Sequence, residues 1–300
     1  MVVPPIVHEI LARSALNQVQ GMPFKWSLNP YKGCAHACGY CYARAYHSFL
    51  DLPPSAFETQ LFVKTNLADV LRGELRRPSW LGEHIAVGTA TDPYQPLEGQ
   101  YRVTRGCLEA MAEVDNPGSV TTKGTLVTRD IDVLSHLARR TEFSVHVSLI
   151  SLDRDLLRKV EPGAPAPSAR LRAIERLSGA GIPVSVNLAP VLPGITDEPE
   201  AMAEVVRAAA QHGAGDVWTG ALRLAPGVKE HFMGILAREF PRLEPSYYRL
   251  YAGSANLPTG YQLRIESQVS GVRRAEGMIS IPLEPETERG ARRAQLALPI

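Results

Sequence analysis

Apolar positions along the chain alternate between two periods. At Ile85-Ala86-Val87 they run together, as in a strand buried on both faces, and residues 101–114 then keep a helical spacing until Pro117-Gly118 breaks it. The exchange repeats downstream. A short strand is predicted at 119–122, a helix at 130–140 with Ile131, Leu134 and Leu137 on one face, and an alternating strand at 143–150 with Phe143, Val145, Val147 and Leu149 aligned. Leu171, Ile174 and Leu177 stripe a helix placed for a Ser168 cap and a Gly179/Gly181 stop. An apolar strand follows at 182–188, a long helix from a Thr196 cap to about His212, a strand at 216–224 and a helix at 228–240.

Upstream the pattern is less regular. Residues 1–24 carry Pro4, Pro5, Gly21 and Pro23 and read as an extended lead-in, and 24–28 as a short strand. A helix is predicted to begin at 42–50 and to end at Pro53-Pro54, and Leu61-Phe62-Val63 is an apolar run of either type. Asn66 is placed to cap a helix with Leu67, Val70, Leu71 and Leu75 on one face, closed by Pro78.

Strands alternating with helices at this spacing imply parallel β/α units with right-handed crossovers. Six units can be counted, with strands near residues 26, 86, 120, 146, 185 and 219. Six falls short of an eight-unit barrel, so the expectation is an α/β fold, a partial (β/α)6 barrel of parallel strands. Residues 241–300 lose the rhythm. Tyr247, Tyr248, Tyr251 and Tyr261 fall among Gly, Ser and Pro, and a polar end carries Arg273, Arg274, Arg289, Arg292 and Arg293. The predicted division is therefore a core at 1–240, lead-in included, and an irregular extension at 241–300, disordered beyond about 285.

Composition narrows the function classes. At 300 residues and 45% hydrophobic the chain can bury a large core, and a net charge of +1 excludes whole-chain electrostatic binding to nucleic acid or anionic membrane. Met1-Val2-Val3-Pro4-Pro5 is no secretory signal, and no window holds 18 apolar residues, so the chain is expected to be cytoplasmic, with no membrane partner. Three of the four cysteines, Cys34, Cys38 and Cys41, lie within eight positions at C-x3-C-x2-C spacing. Clustered thiolates in a reducing compartment suit an iron–sulfur or zinc site. A closed structural zinc site takes four protein ligands; here no second pair exists, and Cys107 falls inside a predicted helix as a buried thiol.

The motif, with Tyr40 immediately before the last cysteine, resembles the signature of the radical S-adenosylmethionine (SAM) superfamily. In that family three cysteines hold a [4Fe–4S] cluster whose fourth iron is chelated by S-adenosyl-L-methionine, and reductive cleavage yields a 5′-deoxyadenosyl radical. Within it, Asn29-Pro30-Tyr31-Lys32-Gly33-Cys34 through Cys41-Tyr42-Ala43-Arg44, Thr91-Asp92-Pro93-Tyr94-Gln95-Pro96-Leu97-Glu98 and Thr122-Lys123-Gly124 are similar to blocks of the branch that includes spore photoproduct lyase.

The resemblance implies roles residue by residue. Tyr40 is the aromatic on the adenine side, Lys123 faces the cofactor carboxylate, and Ser148 binds the cofactor's polar end. Thr89, Thr91 and Asp92 stand where the superfamily has a Gly-Gly-Glu-like segment, a departure that leaves Asp92-Pro93 readable as a plain turn. Asn187 and Arg223, at the ends of the fifth and sixth strands, are expected at the same mouth. Tyr40 and Tyr42 resemble a hydrogen-relaying tyrosine pair. Thr89 stands where spore photoproduct lyase has its hydrogen-donating cysteine, which argues against spore photoproduct repair itself.

The implied activity is radical SAM chemistry, lyase-like or modifying, with nucleic acid as the expected substrate through lesion repair or modification, and a flavodoxin or ferredoxin as reductant. The competing readings are radical modification of a peptide or small molecule, and a zinc-stabilised binding protein. Gln295-Leu296-Ala297-Leu298-Pro299-Ile300 loosely resembles peptides that dock on the bacterial sliding clamp; with the preceding arginines it reads equally as a nucleic-acid patch.

Overall fold

The structure, a computed structural model, describes residues 4–278. Its strands are β1 (Ile6–Ile10), β2 (Leu16–Gln18), β3 (Trp26–Leu28), β4 (Tyr31–Lys32), β5 (Gln60–Lys64), β6 (Ile85–Val87), β7 (Gly118–Thr122), β8 (Phe143–Ser148), β9 (Val184–Val191) and β10 (Asp216–Ala221). Seven form one sheet in the order β10-β9-β8-β7-β6-β3-β2, parallel throughout except where β2 runs antiparallel to β3. The six parallel strands are the six expected from the apolar rhythm, and the fold is an α/β partial barrel. Beside it, β1-β5-β4 make a small second sheet, so the run Leu61-Phe62-Val63 is a strand and the lead-in is partly paired.

Alternation along the strands separates two environments. Leu28, Val87, Val120, Val145, Val147, Val184, Val186 and Val217 are buried in the main core with the crossover helices. The opposite face carries Ser27, Ser119, His146, Ser148, Ser185 and Asn187, so the barrel interior is polar. Pairing places Ser148 opposite Asn187 and Asn187 opposite Trp218, and Lys123 directly follows β7 beside Ser148. One row of the interior thus presents Lys123, Ser148, Asn187 and Trp218.

Several local expectations are corrected. The segment after Cys41 is a 3-10 helix, Tyr42–Leu50, ended by Asp51 in the left-handed region. Residues 101–114 are not one helix: Arg102, at φ 53°, separates Glu98–Tyr101 from Val103–Ala112. The break has a cause in Glu98, whose buried carboxylate accepts the Thr104 and Arg105 N–H groups at 2.9 and 3.2 Å. The Ser168 helix starts at Pro167 with Ala166 as its cap, and the Thr196 helix starts at Pro199 with the Glu198 side chain capping Ala201 N–H. Asn66 makes no cap; its amide instead exchanges hydrogen bonds with the Ala12 backbone at 2.7 and 3.0 Å.

Residues 241–278 are not irregular. They form helices Glu244–Leu250 and Thr259–Ala275, the first burying Tyr247 against Phe232 and Tyr251. The second carries Tyr261, Ile265, Val269 and Val272 at helical spacing and packs on β10 and helix Pro199–Gln211. Expected disorder beyond about 285, Arg289, Arg292, Arg293 and the clamp-like peptide fall outside the described residues. No helix among the described residues is long and apolar enough to cross a membrane. Because Ile265 is fully buried in the main core, we predict that Ile265→Ala lowers unfolding free energy by about 2–5 kcal/mol in urea titrations. An unchanged midpoint would show that the last helix is only an appendage.

Candidate active site

Cys34, Cys38 and Cys41 lie on the loop that leaves β3 at the C-terminal end of the barrel, where parallel β/α barrels carry their chemistry. The loop is braced before any ligand binds. Gly33, at φ 77°, sits so close to the Phe57 and Gln60 carbonyls that a Cβ would fall 2.7 Å from each. Cys34 N–H donates to Phe57 O at 3.0 Å and Gly39 N–H to Val160 O at 2.9 Å. The buried Gln95 amide spans the start of the loop, donating to Gly33 O at 3.1 Å and accepting from Ala35 N–H at 3.0 Å. Arg44, fully buried, donates to Cys38 O at 3.1 Å and pairs with Glu58.

The segment at Thr91 and Asp92 completes this brace. Thr91 Oγ1 donates to Tyr31 O at 3.1 Å. Asp92 accepts from Thr122 Oγ1 at 2.5 Å, Lys123 N–H at 2.6 Å and Tyr94 N–H at 2.9 Å, and His36 Nδ1 stands 3.2 Å from it without hydrogen-bond geometry. Burial alone would raise the Asp92 carboxyl; His36 and the donors hold it well below the ordinary range. Both hydroxyl and carboxylate are therefore already engaged in holding the loop.

All four cysteines are free. Burial pushes the Cys38 thiol up to about 12, with Lys123 working against the rise, and pushes Cys34 well above the usual range. Such thiols ionise against a metal that replaces their protons. Among the described residues no three His, Cys, Asp or Glu side chains converge to hold one ion. Mononuclear zinc needs that convergence, with sulfur about 2.3 Å from the metal. A cubane does not, because each iron takes its own thiolate, so the donor set fits a [4Fe–4S] cluster with one iron open to a further ligand.

One side of the loop faces the polar row. Tyr40 is buried, its hydroxyl bonded to Glu161 and its ring 5.7 Å below Lys123 Nζ. Glu161 pairs with Arg170, which also donates to Ser148 O at 3.0 Å and Pro165 O at 2.8 Å. Burial would raise the Glu161 carboxyl, but Arg170 and Lys123 hold it below its usual value, and burial with Glu161 keeps the Tyr40 phenol protonated. Tyr40, Lys123, Ser148 and Asn187 are brought together here.

Thr89 and Tyr42 lie on the other side, where Tyr42 donates to Thr89 O and Asn29 Nδ2 to Thr89 Oγ1 at 3.2 Å. Both line a cavity of about 670 Å³ that also receives Lys32, Lys64, Tyr46 and Phe49. Arg223, just beyond β10, acts electrostatically on Tyr46 and not on the Ser148 row.

Sequence reasoning missed Glu161, Arg170 and Trp218. Arg170 carried a signal, an arginine in line with Ile174 and Leu177 on an apolar helical stripe. Trp218, 44% exposed, faces the interior opposite Asn187. Breaking the buried pair strands a charge, so Arg170→Met should cost about 3–5 kcal/mol in denaturant unfolding. Adding Glu161→Leu should restore part of that loss; a double variant no more stable than the single one would remove the pair from this account.

A family model described as the radical SAM superfamily matches residues 28–206. The uncharacterized protein Rv2578c of Mycobacterium tuberculosis (strain ATCC 25618 / H37Rv) is 43% identical over 267 residues, 88% of this chain and 78% of that protein. Spore photoproduct lyase complexed with dinucleoside spore photoproduct superposes with a TM-score of 0.68 at 16% identity, over 90% of this chain and 79% of that one. A mutant of the same enzyme with bound AdoMet and dinucleoside spore photoproduct gives 0.63 at 16% identity over the same shares. At that identity the likeness is one of fold. The family match spans the cysteine loop and β6 through β9, and with it this chain, an enzyme, belongs to the radical SAM superfamily.

Proposed function

We propose that the chain reductively cleaves S-adenosylmethionine at a [4Fe–4S] cluster on Cys34, Cys38 and Cys41 and uses the radical on a nucleic acid, in lesion repair or modification. The observation that carries the first half is the braced C-x3-C-x2-C loop with Lys123, Ser148 and Asn187 in register beside it. When bound, cluster and cofactor supply a carbon-centred radical able to abstract a hydrogen atom. The chain's part is placement. Lys123 offers a cation to the cofactor carboxylate, Ser148 and Asn187 offer hydrogen bonds to its polar groups, and Tyr40 holds its proton in a bond to Glu161. Thr91 and Asp92 act through the loop they hold.

The nucleic-acid half draws support from the fold shared with spore photoproduct lyase, an enzyme seen with a dinucleoside, and from the cavity beside Thr89. An aliphatic O–H is a poor hydrogen-atom donor where that enzyme's branch has a thiol, so the reaction proposed is not spore photoproduct repair. Tyr42, bonded to Thr89 O, is the nearer phenol on that side. The cluster calls for a cytoplasmic setting and a one-electron reductant of flavodoxin or ferredoxin type.

Anaerobic reconstitution should give visible thiolate-to-iron absorption, and dithionite should then release 5′-deoxyadenosine; Cys38→Ala should abolish the release. Zinc in the site without that absorption would sink the cluster. With deuterated oligonucleotide, deuterium should pass into 5′-deoxyadenosine; transfer only from peptide would remove the nucleic acid.

A further inference from the structure

The pairing of β4 with β5 has a consequence for charge. Lys32 sits opposite Phe62 and Tyr31 opposite Val63, so Lys32 and Lys64 project from one face as diagonal neighbours. Both ammonium groups line the cavity of about 670 Å³. Lys64 lies on the central strand of its sheet and is half-buried, so it is not a lysine guarding an exposed edge. Its Nζ donates to Asn29 O at 2.8 Å. Among the described residues, neither lysine has a carboxylate within 4.0 Å, and no Asp or Glu lines the cavity. Burial and the neighbouring Lys32 lower the Lys64 pKa to about 8, as expected of a cation without a counter-ion.

The opposite wall is aromatic. On the 3-10 helix Tyr42 meets Tyr46 edge-on at 6.3 Å, and Tyr46 stacks with Phe49 at 6.2 Å. Phe49 is 74% exposed, a costly position for a phenyl ring unless something covers it. Tyr42 is tied to Thr89 O, which fixes the row next to the end of β6. Cations facing aromatic rings across a concave space match a phosphate joined to a base. The volume lies within the small-ligand range of about 300–1,000 Å³, so a splayed nucleotide fits and a duplex does not.

We infer that this cavity seats a single-stranded nucleotide segment, with a backbone phosphate on Lys32 and Lys64 and a base against Tyr42, Tyr46 and Phe49. The inference rests on the nucleic-acid reading above and names its binding site. It places the bound nucleotide beside Thr89, on the side of the cysteine loop away from Lys123.

The test is fluorescence anisotropy of a labelled oligothymidylate with the reconstituted full chain, anaerobically, over a range of KCl. The Lys32→Gln/Lys64→Gln variant should bind at least tenfold more weakly at low salt. Its slope of log affinity against log salt should flatten by about 1.4, from about 0.7 per phosphate contact on a single strand. Phe49→Ala, at an exposed position, should weaken binding by about tenfold with the slope unchanged. Unchanged affinity and slope in the lysine variant overturn the inference. So do absent binding by the parent chain, tighter binding of the matching duplex, and equal binding of labelled polyglutamate, which has charge but no bases. Cleavage of S-adenosylmethionine by the same preparations separates the failures. A parent chain that cleaves the cofactor but ignores the oligonucleotide refutes the cavity; one that does neither refutes the proposed function.

Discussion

The buried Asp92 carboxylate is the constraint on which the site depends. A charge out of water must be fully partnered, and its partners come from separate segments: His36 in the cysteine loop, Thr122 and Lys123 after β7, and Tyr94 in its own turn. Satisfying that one group fixes the loop relative to the strand that delivers Lys123. Gln95, three residues on, clasps the same loop from Gly33 to Ala35. A three-thiolate site has no fourth protein ligand to pull it into shape, so its geometry must come from the scaffold. These two side chains, with Arg44 and the Gly33 turn, provide it.

A second buried carboxylate, Glu161, does for the cofactor side what Asp92 does for the loop. It joins Tyr40 to Arg170, and Arg170 reaches Ser148 O, so the aromatic beside Cys41 and the β8 strand end are linked through one ion pair. Lys123 stands above Tyr40 between two anionic neighbours, which explains why its charge survives burial. Burial opposes that charge; Cys38 and Glu161 outweigh it and raise its pKa. The positive charge is kept where an incoming carboxylate can use it.

How much of this could be read from residues alone follows from the range of the interactions. The six parallel strands were legible because Val145/Val147 and Val184/Val186 repeat a local period, and the cysteines because their spacing is itself local. Tyr40, Lys123, Ser148 and Asn187 were legible only through motif likeness, and the sheet register brings them together. Glu161 and Asp92 were not legible as tethers, since their partners lie far along the chain and a carboxylate in a turn looks solvated. The helix broken at Arg102 escaped because Glu98 imposes it through Thr104 and Arg105, against a continuous apolar pattern. Thr259–Ala275 escaped for the opposite reason: its stripe is thin, and only β10 and Pro199–Gln211 make it a core element.

The open barrel then has a physical rationale. Closing the sheet would cover Trp218, which lies on the edge strand β10 facing the interior, and would compete with the hairpin of β2 and β3 for the opposite edge. Leaving it open divides the mouth. Tyr40 and the polar row of Lys123, Ser148 and Asn187 occupy one side of the cysteine loop, while the lysine-and-aromatic cavity with Thr89 and Tyr42 occupies the other. A reaction that generates a radical on one molecule and spends it on another needs two adjacent pockets of different chemistry. The cation that faces the cofactor side is committed to Cys38, Tyr40 and Glu161, so charge for a second anionic guest must come from elsewhere, and the antiparallel pairing of β4 with β5 brings Lys32 and Lys64 to it.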